Sequence, residues 1–305
     1  MKHLLSIQDM STKEIENLLS LAKQIKKSPQ KYELSLKNKT LLMIFAKPSL
    51  RTRLSFEAGM TQLGGHAIFY DLADSVMGKK ESIADTARTA SRYVNFIAAR
   101  LYEHSEIEEL AKYSDVPVIN MLTNLEHPCQ ILADLQTIQE KFKKLKGLKL
   151  AYVGDANNNV THSLMLACTK LGMMISIGCP KTMQPDPKVI AIARKQGNIE
   201  ITSYAKKAVE SADIIYTDSW MSYHVAENQK EQRIKVLQAY QVNKKLMSYA
   251  NKNAIFMHCL PAQRGYEVTD EVIDSKQSIV FDQAENRLHA QKALLVILNK
   301  KEGKR

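Results

Sequence analysis

The sequence is poor in the residues and patterns that mark metal, disulfide and membrane proteins. It has four cysteines, and no two of them form a C-x-x-C pair, so their spacing predicts neither a zinc site nor a thioredoxin-like redox site. No apolar run approaches the roughly 20 residues that a membrane-spanning helix needs. Residues 1–5 lack the long apolar core of a signal peptide. These absences predict a cytoplasmic protein with reduced thiols and no membrane partner.

Length and composition indicate two globular domains. The chain has 305 residues, which exceeds one ordinary hydrophobic core and suits two domains of about 150 residues each. Hydrophobic residues make up 45% of the chain and charged residues 25%, the balance of a soluble globular protein.

The excess of basic residues leaves two kinds of partner open. Lys and Arg outnumber Asp and Glu by 43 to 32, which gives a formal net charge of +11. Such a charge favours either a nucleic acid or a small anionic substrate in a positive cleft. The lysines are spread along the chain with few aromatic residues between them, and no nucleic-acid-binding signature is present. We therefore interpret most of them as solvated helix faces and expect no nucleic-acid partner, keeping nucleic-acid binding as the weakest alternative.

Two strand–loop–helix units organise the chain. The first runs from an apolar strand at residues 41–45 through a loop at 47–49 to a helix from about Arg53 to Leu63. The second has a strand at residues 149–153, a loop at 154–159 and a helix at 163–171. Such units place functional residues at the carboxyl edge of a parallel sheet.

The remaining pattern completes an α/β prediction with two domains. Further strands are expected at residues 175–177, 214–216 and 254–257, and further helices at 131–144 and 285–298. Each domain is predicted to be a parallel sheet flanked by helices, with an active-site cleft between the two domains. We expect one domain at 1–140 with a C-terminal helix at 286–305, and the other at 147–285.

The run Ser49-Leu50-Arg51-Thr52-Arg53, called the phosphate motif below, lies between a strand and a helix. Backbone N–H groups at a helix N-terminus favour an anion, and hydroxyl and guanidinium groups add donors that match phosphate oxygens. Taken alone, the same run also fits a basic helix start that faces solvent.

Four other polar groups stand at predicted strand ends or helix starts. They are Arg100 with His104, His127-Pro128-Cys129-Gln130, Asp218 with Ser222, and His258-Cys259-Leu260-Pro261. Together with the phosphate motif they resemble, in order and over nearly the whole chain, the motifs of the aspartate and ornithine carbamoyltransferase family. The phosphate motif is similar to the family's S-T-R-T-R, residues 127–130 to H-P-x-Q, and residues 258–261 to H-C-L-P, which is typical of the ornithine branch.

The resemblance implies a reaction and a set of site residues. It implies transfer of the carbamoyl group of carbamoyl phosphate to the side-chain amine of L-ornithine, giving citrulline and phosphate in arginine biosynthesis, without a metal or cofactor. The implied catalytic residues are Arg51, Arg100, His127, Asp218 and Cys259. The implied carbamoyl phosphate ligands are Ser49, Leu50, Arg51, Thr52, Val76, Arg100, His127, Gln130, Cys259, Leu260 and Arg287. The implied ornithine ligands are Asn159, Asp218, Ser222 and Tyr223.

These roles agree with the chemistry of the groups. Arg100 and His127 are donors for the carbonyl oxygen, which gains negative charge as the amine attacks. A carboxylate at Asp218 suits a cationic amino acid, and the attacking amine must be neutral. Individually, Asp218 also fits a turn former, Cys259 an ordinary buried thiol, and His258 a residue that merely holds Cys259 in place.

The sequence departs from the family pattern at three places. Leu50 replaces a Thr, a small loss if that residue acts through its backbone N–H. Val76 stands where the family often has a polar residue in a loop that reaches a neighbouring subunit. Tyr223-His224 replaces the usual Met-Gly, which leaves putrescine as an alternative acceptor and a non-catalytic carbamoyl phosphate-binding protein as an alternative function. The resemblance also implies a homotrimer with sites at subunit interfaces.

Overall fold

A computed structural model describes residues 1–73, 77–78, 80–221, 228 and 230–302, and of residues 301 and 302 it describes only the backbone. The chain forms two compact units. Unit 1 comprises Met1–Thr137 and Glu285–Arg305, and unit 2 comprises Ile138–Ala284. The chain passes from one unit to the other within helices α5 (Pro128–Phe142) and α12 (Val280–Glu302).

Unit 1 contains a parallel sheet with the strand order β2-β1-β3-β4. The strands are β1 (Thr40–Phe45), β2 (His66–Asp71), β3 (Phe96–Arg100) and β4 (Val118–Leu122). Helices α1 (Thr12–Lys27), α2 (Leu50–Gln62), α3 (Ile83–Tyr93) and α4 (His104–Tyr113) accompany them, with 3-10 turns at Ile7–Asp9 and Pro29–Tyr32. The strand order reverses between β1 and β3, where Phe45 is in register with Arg100. Open parallel sheets bind ligands at such a reversal, beyond the carboxyl ends of the strands.

Helix α2, which carries the phosphate motif, begins earlier than the sequence pattern predicted. It starts at Leu50 and not near Arg53, because Ser49 is its N-cap and its hydroxyl oxygen accepts from Thr52 N at 3.4 Å. The motif therefore forms the first turn of the helix, where the leading N–H groups have no partner within the helix.

Unit 2 contains a second parallel sheet, with the order β7-β6-β5-β8-β9. The strands are β5 (Lys149–Val153), β6 (Met174–Gly178), β7 (Ile199–Thr202), β8 (Ile214–Thr217) and β9 (Ile255–His258). The helices are α6 (Asn159–Lys170), α7 (Pro187–Arg194), α8 (Ala205–Val209), α9 (Lys230–Leu237), α10 (Lys244–Met247) and α11 (Asp270–Ile273), with a 3-10 turn at Gln238–Tyr240. Here the order reverses between β5 and β8.

Two parallel sheets, each flanked by helices, confirm the predicted α/β class. Helices α5, α6 and α12 start earlier than predicted. In α5, Pro128 takes the first position, where its missing N–H costs nothing, and in α6 the side chain of Asn158 supplies the N-cap. Among the helices of the described residues, none combines the length and apolar character that crossing a membrane requires.

Candidate active site

Buried hydrogen bonds join the phosphate motif to the C-terminal helix in unit 1. Arg287 on α12 donates from Nη1 to Gln130 Oε1 at 2.6 Å and from Nη2 to Thr52 Oγ1 at 3.2 Å. Gln130 in turn donates from Nε2 to Asp134 Oδ1 at 2.8 Å. Thr52, Gln130 and Arg287 are each at most 2% exposed. Three residues that the sequence placed far apart thus share one buried network.

The two arginines of the phosphate motif have different surroundings. Arg53 donates from Nε to Glu57 Oε1 at 2.9 Å, and its guanidinium lies 3.9 Å from the centroid of the Phe69 ring. Arg51 is half-buried and close enough to His127 to lower the pKa of that imidazole. Arg51 is therefore the motif's candidate phosphate ligand, and Arg53 has a packing contact.

His127 is a buried, neutral imidazole among positive charges. Burial lowers its pKa well below the usual range, and the nearby charges of Arg287, Arg100 and Arg51 lower it further. A neutral imidazole has one N–H donor and one acceptor nitrogen. With Arg100, which ends β3 and is 6% exposed, His127 can donate to a carbonyl oxygen that becomes negative.

Lys47 is a buried cation close to the phosphate motif that the sequence analysis did not single out. It lies two residues after the end of β1, is 4% exposed, and donates from Nζ to Asn124 Oδ1 at 2.6 Å. Burial, and next the charge of Arg100, lower the pKa of Lys47 to about 8. The only sequence signal was its position, a cation just beyond a buried strand.

The Leu50 substitution leaves this network intact. The Leu50 side chain is 68% exposed, so it takes no part in the buried contacts around Arg287. A role for this residue through its backbone N–H therefore survives the departure from the family pattern. Val76 lies outside the described residues.

In unit 2, adjacent strand ends bring Asp218 and Cys259 together. Thr217 at the end of β8 is in register with His258 at the end of β9, so the residues that follow the two strands are neighbours. The Cys259 thiol donates to Asp218 Oδ1 at 3.0 Å, and the same oxygen accepts from Ser219 N at 2.8 Å. The pair presents a carboxylate and a soft polar group, which suits an ammonium or amine ligand.

His258 organises the loop that carries Cys259. Its Nδ1 accepts from Leu260 N at 2.8 Å, which puts the ring proton on Nε2, 3.3 Å from Glu267 Oε1. Both side chains are fully buried. Possible metal-ligand atoms of Asp218, His258 and Cys259 lie within 4.8 Å of one another. Both ring nitrogens of His258 already have hydrogen-bond partners, so two of these three residues remain as possible metal ligands. A structural zinc site uses four protein ligands, so this group does not match one.

Two neighbouring asparagines connect the loop after β5 to helix α6. Asn158 caps α6 by accepting from Thr161 N at 2.9 Å, and donates to Tyr152 Oη at 2.8 Å. Asn159, a predicted ornithine ligand, is half-buried at the first position of α6, and not in the loop where the sequence pattern placed it. Ser222 and Tyr223, with His224, lie outside the described residues.

Arg233 on α9 joins the two loops of this edge. It forms a close ion pair with Asp155 Oδ2, and donates from Nε and Nη2 to the carbonyl oxygen of Trp220 at 3.1 and 3.0 Å. Asp155 also accepts from Asn157 N through Oδ1 at 3.0 Å. Neither Arg233 nor Asp155 has a sequence signal, since their contact joins residues 78 positions apart.

Comparison with known proteins identifies the family. Residues 2–140 match the carbamoyl-P binding domain of aspartate/ornithine carbamoyltransferase, and residues 146–298 match the Asp/Orn binding domain. An ornithine carbamoyltransferase of Thermococcus kodakarensis is 50% identical over 304 residues, covering 97% of this chain and 96% of that protein.

Solved structures agree in fold. The ornithine carbamoyltransferase of Pyrococcus furiosus has a TM-score of 0.93 at 50% identity, covering 97% of this chain and 96% of that one. The anabolic enzyme of Campylobacter jejuni has a TM-score of 0.92 at 40% identity, covering 99% of this chain and 100% of that one. The chain belongs to the aspartate/ornithine carbamoyltransferase family.

Proposed function

We propose that this protein transfers the carbamoyl group of carbamoyl phosphate to the side-chain amine of L-ornithine, giving citrulline and phosphate. The observation that carries the proposal is the neutral, buried His127 with the charges of Arg51, Arg100 and Arg287 around it. That arrangement supplies positive charge for a phosphate and an uncharged donor for the adjacent carbonyl oxygen. The 50% identical relative from Thermococcus kodakarensis is named an ornithine carbamoyltransferase, which supports the proposed reaction.

The reaction proceeds by attack of the neutral amine on the carbamoyl carbon. A C–N bond forms, and the C–O bond to phosphate breaks with its electron pair leaving on the phosphate. The proton that the amine loses goes to the released phosphate or to water. Arg51, Thr52, Ser49 and the N–H of Leu50 bind the phosphate, with Arg287. Arg100 and His127 donate to the carbonyl oxygen, Gln130 accepts from the carbamoyl nitrogen, and orientation supplies much of the rate.

The acceptor binds at the edge of the unit 2 sheet. Asp218 orients the amine, and Asn159 binds the amino acid end. Cys259 and the backbone carbonyl of Leu260 contact the carbamoyl group or the incoming amine. The Cys259–Asp218 hydrogen bond supports this assignment, since it fixes the carboxylate next to the thiol. The proposed roles of Val76, Ser222 and Tyr223 rest on the family resemblance alone.

The proposal extends to domains, assembly and cell biology. Residues 1–140 with 286–305 form the carbamoyl phosphate-binding domain, and 147–285 the ornithine-binding domain. The protein acts as a cytoplasmic homotrimer in arginine biosynthesis. Relatives from Pyrococcus furiosus and Campylobacter jejuni that are named anabolic support the biosynthetic role.

An amine panel tests the function. Purified protein with carbamoyl phosphate should form citrulline from ornithine, and should use putrescine and aspartate far less well. Turnover with putrescine but not with ornithine would refute the assignment of ornithine as the acceptor. Carbamoyl phosphate binding without turnover of any amine would instead identify a non-catalytic homologue.

A further inference from the structure

We infer that Gln291 is a positioning residue for carbamoyl phosphate binding, because its side-chain amide fixes the guanidinium of Arg287. The inference rests on the proposed function, which supplies the ligand. Gln291 lies one helical turn after Arg287 on α12 and is 1% exposed.

The surrounding groups determine how the Gln291 amide is oriented. With its oxygen toward Arg287, it accepts from Nε at 3.2 Å and from Nη2 at 2.9 Å, and its nitrogen donates to Ser55 Oγ at 2.6 Å. The opposite orientation would set the amide nitrogen against guanidinium donors, so the hydrogen bonds select the first. A single side chain thus satisfies two N–H groups on one edge of the guanidinium.

The second contact of Gln291 leads to the phosphate motif. The single hydroxyl proton of Ser55 is shared between the carbonyl oxygens of Arg51, 2.6 Å from Oγ, and of Thr52, 3.2 Å from Oγ, and Oγ accepts from Gln291. Gln291 therefore ties the guanidinium of Arg287 on α12 to the first turn of α2. Because Arg287 also donates to Thr52 Oγ1, the two helices hold each other in register at the proposed phosphate site.

The hydrogen-bond partners of Arg287 leave its positive charge available to an anion. The acceptors in Gln130, Thr52 and Gln291 are neutral amide and hydroxyl oxygens, which orient a guanidinium without cancelling its charge. A long arginine side chain without such partners has many rotamers, and ordering it on binding weakens affinity. Gln291 holds the guanidinium in place before the ligand arrives.

Direct binding tests the inference. Titration calorimetry with carbamoyl phosphate alone should show the dissociation constant of Gln291→Met about tenfold above wild type, the scale of losing one buried hydrogen-bond partner of a charged group. In turnover, KM for carbamoyl phosphate should rise more than kcat falls. Lys292→Met is the matched control, since Lys292 is also buried on α12 and donates instead to Gln62 Oε1 at 2.8 Å. It should bind carbamoyl phosphate like wild type.

A double-mutant cycle separates positioning from general packing. Adding Gln291→Met to Arg287→Met should weaken binding no further, since Gln291 acts through Arg287. Additive losses, wild-type affinity of Gln291→Met, or an equal loss in Lys292→Met would each overturn the inference. If wild type binds carbamoyl phosphate but forms no citrulline, the proposed reaction is refuted, and the calorimetric comparison still decides the role of Gln291. If wild type does not bind carbamoyl phosphate, both the proposed function and the role of Gln291 are overturned.

Discussion

At the residue scale, the two arginines of the phosphate motif should respond differently to truncation. Arg51→Ala should reduce carbamoyl transfer by at least about a hundredfold, on the scale of removing one transition-state donor, with little change in the free energy of unfolding. Arg53→Ala should lose only its Glu57 pair and its Phe69 contact, a stability change of about 1 kcal/mol, and keep most turnover. Initial rates and urea unfolding measure both; near-normal turnover in Arg51→Ala would contradict its role.

Lys47 should make stability depend on pH at the alkaline end. Its pKa is about 8 in the folded protein and about 10.4 in an unfolded chain. Between these values the unfolded chain binds the extra proton, so the free energy of unfolding rises with pH; below pH 8 the burial cost is fully present. Urea unfolding from pH 7 to 10 should give a flatter profile for Lys47→Met than for wild type. Parallel profiles would show that Lys47 does not titrate in this range.

Residue roles could be predicted where the family motif marked them, and contacts across helices could not. The resemblance named Thr52, Gln130 and Arg287, and the structure brings them together. Asp134 and Gln291 belong to the same network, but each looks like an ordinary polar residue on a helix. Their roles depend on the packing of α2, α5 and α12, which a local pattern does not contain.

At the element scale, Arg233 should control acceptor affinity. By holding Asp155 and the Trp220 carbonyl, it fixes the loops that precede Asn159 and follow Asp218. Arg233→Met should raise KM for ornithine about tenfold and leave carbamoyl phosphate binding unchanged, because Asp155 loses its charge partner and the two loops lose the side chain that joins them.

The matched control for this variant is Arg264→Met. Arg264 pairs with Asp270 and Asp274 in the same unit but is 43% exposed. Kinetics with ornithine as the varied substrate should be unaffected by that change, because exposed ion pairs contribute little. Equal KM values for ornithine in wild type and Arg233→Met would refute the role of α9.

Helices and strands could be predicted where the apolar pattern and the length of a segment indicated the same element. Residues 149–153 were predicted as a strand and are β5. The bounds of β3 and β4 were not predicted, because two alanines in β3 and Asn120 in β4 weaken the continuous run of large apolar residues that marked β1. β2, a partly exposed edge strand, was also not predicted, because its short apolar run at residues 67–70 does not by itself separate strand from helix.

At the scale of the whole molecule, the proposed homotrimer predicts a solution mass three times the 34.5 kDa of one chain. Light scattering coupled to size exclusion, at several loading concentrations, measures it. A mass of one chain at every concentration, in protein that still makes citrulline, would show that the site needs no neighbouring subunit.

Helix α12 also has a consequence for the order of synthesis. Residues 1–137 leave the ribosome first, yet Arg287 and Gln291 follow only after all of unit 2 has been made. A nascent chain that has folded α2 and its sheet still lacks the guanidinium beside Thr52. We expect carbamoyl phosphate to have little affinity for such a chain, so it would stabilise finished protein and not a translation intermediate.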